Sequence, residues 1–138
     1  RPLHQLSAAA LEAGGVRILR DPTRGGVATT LNEFVEGSAL TIELEEDAIP
    51  VDPAVAAACD LLGLDPLYSA CEGRMRAVVS PGQADAVLDA LHQTSGGEHA
   101  AMIGRVTESR PGHVVLRTAL GGSRILGKLT GVQLPRIC

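Results

Sequence analysis

Three times in this chain a capping residue and a proline stand together at the head of an apolar pattern: Asp21-Pro22, Asp52-Pro53 and Ser80-Pro81. An Asp or Ser side chain accepts a hydrogen bond from the unpaired N–H groups of a helix start. Proline suits the first helical turn, where its missing N–H is no loss. Each dipeptide therefore predicts a helix. After Asp21-Pro22 the core stripe is Val27, Leu31, Phe34 and Val35, ended by Gly37. After Asp52-Pro53 the helix runs through Ala58 and Leu62 to Gly63. Ser80-Pro81-Gly82-Gln83 has the form of a capping box, and Ala84, Val87, Leu88 and Leu91 face inward before Gly96-Gly97. An earlier helix is predicted over 3–13, with Leu3, Leu6, Ala10 and Leu11 apolar and Gly14-Gly15 as its stop.

Strand patterns fall between these helices. VRIL is a short β-type run. ALTIELEE alternates, with Leu40, Ile42 and Leu44 on one face and Thr41, Glu43 and Glu45 on the other, which predicts a half-buried strand. RMRAVVS is another strand. AAMIGRV and HVVLRT are two more, with Pro111-Gly112 as the turn between them. GGSRILGKLTGVQ reads as a loop or short strand. About four helices and four to five strands in mixed order predict an α/β (α+β) domain over 1–130, a mixed sheet with helices packed against it. Residues 131–138 have no strong helix signal, and Pro135 interrupts regular structure, so they are expected to form a flexible tail.

At 138 residues the chain is long enough to bury a core, and that core must be aliphatic: there is one Phe, one Tyr and no Trp. Base-stacking platforms are therefore absent. With a net charge of −4 and no basic stripe, nucleic-acid binding is not expected. No apolar run approaches the roughly 20 residues of a membrane span. The start RPLHQLSAAA, without Met, reads as a cut inside a longer protein or a processed product. Cys59, Cys71 and Cys138 include no CxxC pair, which fits a reducing, cytoplasmic setting with no disulfide framework. His4, His92, His99 and His113 have no metal-ligand spacing, so no metal site is expected.

Three stretches could carry chemistry. In DPTRGG, Arg24 is a fork-shaped cation suited to phosphate oxygens, at the start of a helix whose N–H groups favour anions. Gly25 and Gly26 would let a phosphate approach the backbone, or else let the helix pack tightly on a neighbour. Two glycines in a first turn cost about 1–2 kcal/mol relative to alanine, so some reason for them is required. In SACEGR, Glu72 stands just before a strand, either as a working carboxylate or as an exposed turn residue paired with Arg74 or Arg76. Cys71 beside it reads as a packing thiol. Last, Cys138 ends the sequence after Pro135-Arg136. The eight residues 131–138 reach at most about 26–29 Å, enough to carry the thiol to a neighbouring domain or a second protein.

Taken together, DPTRGGVATTLNE, LYSACEGRM, VVLRTALGGSRIL and the final PRIC resemble the C-terminal domain of the HypE family of hydrogenase maturation factors. That family lies within the aminoimidazole ribonucleotide synthetase superfamily. The resemblance covers essentially the whole chain, and PRIC is its most specific mark. It implies a mixed four-stranded sheet with helices against it. It also implies that Cys138 accepts a carbamoyl group from a HypF-like carbamoyltransferase. ATP then activates the carbamoyl oxygen, and dehydration leaves a thiocyanate, whose cyano group passes to iron on a HypC–HypD complex. By the same resemblance Glu72 removes a proton or orients the carbamoyl nitrogen, and Arg24, Gly25 and Gly26 face phosphates or the path of the tail. ATP and Mg2+ are bound mainly by an N-terminal domain absent from this sequence. That domain also holds the homodimer interface, so this chain is expected to bind neither and to be inactive alone and monomeric. Two other readings stand beside this one: a non-catalytic carrier or docking module presenting Cys138, and a superfamily kinase or synthetase that makes no use of it.

Overall fold

A computed structural model describes residues 3–128. In chain order it contains α1 (His4–Ala13), β1 (Val16–Arg20), α2 (Gly26–Val35), β2 (Thr41–Glu45), α3 (Pro53–Leu62), β3 (Arg76–Val79), α4 (Ala84–His92), β4 (Gly104–Thr107), β5 (Val114–Arg117) and β6 (Ser123–Leu126). Single 3-10 turns occupy Glu46–Ala48, Pro66–Tyr68 and Pro81–Gln83. The chain divides into two compact units and passes from one to the other after Pro22, Cys71 and Met102.

The larger unit, residues 23–71 with 103–128, is built on a four-stranded sheet in the order β4-β2-β5-β6. β2 pairs antiparallel with β4 and parallel with β5, and β5 pairs antiparallel with β6, so the sheet is mixed as expected. Because β2 lies between them, β4 and β5 are not the hairpin that Pro111-Gly112 suggests. One face carries Ile42, Leu44, Val114, Leu116 and Leu126, which pack with Val27, Ala28, Leu31 and Val35 of α2 and with Leu67. The stripe read for α2 is therefore its buried face, with Phe34 at the margin.

The central place of β2 also changes its outer face. Thr41 is 0% and Glu43 9% exposed, whereas Leu40, expected inside, is 41% exposed just before the strand. A central strand is flanked on both sides, so neighbouring side chains cover even its polar residues. α3 forms as predicted: the Asp52 carboxylate accepts a hydrogen bond from Ala54 N at 2.8 Å, Pro53 opens the helix, and Gly63 closes it at φ 66°. Only Cys59 of α3 is buried.

The smaller unit, residues 3–22 with 72–102, pairs β1 antiparallel with β3, and α1 packs on α4. Leu6 and Ala10, one turn apart, are the buried residues of α1, while Leu11 is exposed. Ser80 does not close a capping box. Its hydroxyl instead accepts a hydrogen bond from Arg17 Nε at 2.9 Å, and a 3-10 turn intervenes before α4.

Candidate functional site

Asp21-Pro22 does not open α2. The helix begins four residues later, after Gly25 at φ 70° and Gly26 at φ 64°. Both angles lie in the left-handed region that glycine enters without steric cost. Space forbids a side chain too. A Cβ on Gly26 would stand 2.5 Å from Leu67 O and 2.6 Å from Ser69 O, and one on Gly25 would stand 2.2 Å from Thr29 Oγ1. The backbone of residues 67–69 thus lies directly on Gly26, a close approach within the protein itself. The Gly26 carbonyl also accepts a hydrogen bond from the buried Thr30 hydroxyl at 3.0 Å. Arg24 is exposed, and the first turn of α2 has neither an acidic residue nor a side-chain cap.

The chain reaches Gly26 again through the 66–68 turn. Asp65 Oδ1 accepts a hydrogen bond from Leu67 N at 2.9 Å, and its other oxygen takes Arg124 Nη2 at 2.7 Å. Cys71 Sγ donates to Ser69 O at 3.2 Å, which holds the half-buried thiol within its own turn. Glu72 follows as the first residue of the smaller unit's second stretch and is exposed.

The third stretch is described only at its root. At the end of β6 and just past it, side chains distant in sequence hold three successive residues. Asn32 Nδ2 donates to Leu126 O at 2.8 Å, and the Tyr68 hydroxyl donates to Gly127 O at 3.0 Å. Lys128 Nζ forms an ion pair with Glu36. Burial and the nearby Asp65 carboxylate both push the Tyr68 hydroxyl above its ordinary pKa, so it stays a donor. Cys138 and the rest of 131–138 lie outside the described residues. Within the larger unit the structure thus brings together Gly26, the 67–69 turn and the start of the C-terminal segment.

Sequence reasoning missed a buried carboxylate. Glu43 Oε1 accepts hydrogen bonds from Ser109 Oγ at 2.7 Å and Thr107 Oγ1 at 3.2 Å, and Oε2 takes Arg117 Nη2 at 3.2 Å. The Ser109 bond, with those from Arg117 and Thr107, holds the carboxyl below its ordinary pKa against the opposing effect of burial. The signal that could have found it is the Thr-x-Ser run just after one predicted strand together with the Arg near the end of the next. The larger unit also has an open cavity of about 250 Å3 with Ile49, Val51 and Leu64 in its walls, beside Glu46, Asp60 and the Asp65–Arg124 pair. Among the described residues no group of three or more His, Cys, Asp or Glu could hold a metal ion, and no helix is long and apolar enough to cross a membrane.

Residues 2–117 match the family described as AIR synthase related protein, C-terminal domain. The chain is 51% identical over 138 residues to carbamoyl dehydratase HypE of Rhizobium leguminosarum bv. viciae, covering 99% of this chain and 39% of the relative. Its fold matches a hydrogenase maturation protein HypE solved in complex with ATP (TM-score 0.84, 48% identity, 93% of this chain and 39% of that one). It also matches a chain of a HypE–HypF complex (TM-score 0.87, 36% identity, 93% of this chain and 42% of that one). It spans about two fifths of the length of the curated relatives it matches. On this evidence the chain belongs to the AIR synthase related protein family, as a C-terminal domain of the HypE kind.

Proposed function

We propose that this chain carries the reacting thiol of a carbamoyl dehydratase serving hydrogenase maturation. The observation that supports this most is the meeting of Gly26, the 67–69 turn and the root of the C-terminal segment in one unit. It joins residues of DPTRGG and SACEGR, Gly26 and Ser69, to the start of the C-terminal segment. The similarity to HypE, and to HypE solved with ATP and with HypF, supports the same reading.

In this proposal residues 1–130 act as one module and 131–138 as the carrier arm. The family match over 2–117 runs through both units. The Cys138 thiolate attacks a carbamoyl group delivered by a HypF-like carbamoyltransferase, forming a C–S bond as the donor's leaving group departs. ATP transfers its terminal phosphoryl group to the carbamoyl oxygen. The nitrogen then loses its protons as the C–O bond breaks and phosphate leaves, giving a thiocyanate on sulfur. Glu72, exposed and next to the 66–71 segment, accepts a proton. Arg24, beside the uncapped start of α2, faces the developing negative charge. The cyano group passes to iron on a HypC–HypD complex. ATP and Mg2+ are held mainly by the part of the relatives that this chain does not span, in a cytoplasmic homodimer.

Mixing the chain with a HypF-like carbamoyltransferase, carbamoyl phosphate and ATP, then measuring intact mass, tests this. One carbamoyl group is expected on Cys138 with no later loss of water. Uptake that survives Cys138→Ser sinks the carrier assignment. Loss of water, or ATP turnover by the 138-residue chain alone, sinks the division of labour.

A further inference from the structure

Among the described residues strand β6 pairs only with β5, and their register ends at Val114↔Leu126. Backbone beyond an edge strand's last pair normally frays. Here each of the next carbonyls or side chains has a partner. The Asn32 amide nitrogen has two hydrogens: one goes to Ala28 O of its own helix at 2.8 Å, the other to Leu126 O at 2.8 Å. The first bond fixes the rotamer and so aims the second. Glu36, just past the end of α2, takes Lys128. Tyr68 reaches Gly127 O from the turn that rests on Gly26. Packing does not explain the Gly127 contact, because a Cβ there would meet nothing within 4 Å.

We infer that Asn32, Tyr68 and the Glu36–Lys128 pair form a joint that fixes where the segment bearing Cys138 leaves the domain, and that Asn32 and Tyr68 are positioning residues for the chemistry at that thiol. The second half rests on the proposed function. The ten residues after Lys128 span at most about 33–36 Å. The effective concentration of a tethered group depends on where its tether starts and how long it is. Releasing the joint would free the point from which the segment starts, so Cys138 would meet its target less often, although the sheet and core remain intact.

The test uses the 138-residue chain with Tyr68→Phe, which removes only the hydroxyl, and with Glu36→Lys, alone and rescued by Lys128→Glu. Backbone motion is expected to quicken at residues 127 and 128, with 15N order parameters falling from about 0.85 toward about 0.6, and those of Val115 and Ile125 unchanged. Carbamoyl loading of Cys138 is expected to lose about threefold in kcat/KM, and Lys128→Glu to restore it in the Glu36→Lys chain. Quickening throughout β5 and β6 would mean ordinary sheet contacts and overturn the joint. Local quickening with loading at the parent rate overturns the positioning role. A parent chain that takes up no carbamoyl group overturns the proposed function instead. In that event a nitroxide on Cys138, in a Cys71→Ser background, decides the joint: an unchanged broadening pattern on the domain amides in Tyr68→Phe sinks it.

Discussion

The two units bury apolar surface on different scales. Residues 23–71 with 103–128 enclose ten apolar side chains between α2 and the sheet. Residues 3–22 with 72–102 bury the apolar side chains of Leu6, Ala10 and Val87, besides Pro22. A two-stranded ribbon is marginal by itself and depends on the helices beside it. Local geometry in the larger unit is thus fixed by a core, and in the smaller one by a few contacts. Among the stretches read as functional, Arg24, Gly25, Gly26 and the arm's root belong to the well-cored unit, and Glu72 to the other.

Substitutions can break this contrast. The largest effect is expected at Gly26→Ala, which faces both a left-handed backbone and two carbonyls: a loss of about 4 kcal/mol or more by urea unfolding. Gly37→Ala, at φ 69° but with open space around it, should lose only about 1–2 kcal/mol. Comparable losses would mean that the 67–69 backbone yields. Next, Leu116→Ala in the larger core is expected to cost about 3–4 kcal/mol, against about 2 kcal/mol for Val87→Ala. A reversed order would overturn the ranking of the two cores.

Glu43 sharpens the picture by pH. Its folded-state pKa lies below the ordinary 4.5, so its contribution is complete above that value and is lost as pH falls through the folded-state pKa. Acid titration of the urea midpoint should therefore show a fall below about pH 4.5 that Glu43→Gln flattens. An identical acid limb in both chains would remove Glu43 from the sheet's stability. The smallest effects concern the caps. Asp52→Ala should cost about 1 kcal/mol. Ser80→Ala, which breaks only the exposed bond to Arg17, should cost about 0.5 kcal/mol.

Those caps also show what can be read from sequence. Asp52-Pro53 through Gly63 was legible to the residue because every contact that starts and stops α3 is local. The same dipeptide at 21–22 misled, because the start of α2 is set by a turn more than forty residues away pressing on Gly26. The helix-and-sheet class followed from the alternation of patterns. The order β4-β2-β5-β6 did not, since it depends on pairings between distant strands. Glu43 was hidden for the same reason: alternation marked it as outward, and only the flanking strands bury it. At the candidate site, the glycine pair stood out in the sequence as needing a reason. The contact of Tyr68 with Gly127 was not, because nothing local ties a tyrosine in a turn to a carbonyl at the end of a sheet.

The parallel pairing of β2 with β5 bears on how the chain reaches its native state. Ile42 cannot find Val114 until everything between them has been synthesised, and such non-local pairing is slow. The bonds from Asn32 to Leu126 and from Tyr68 to Gly127, 94 and 59 residues apart in sequence, are non-local in the same way. A chain stalled before β2 finds β5 would therefore lack those contacts as well.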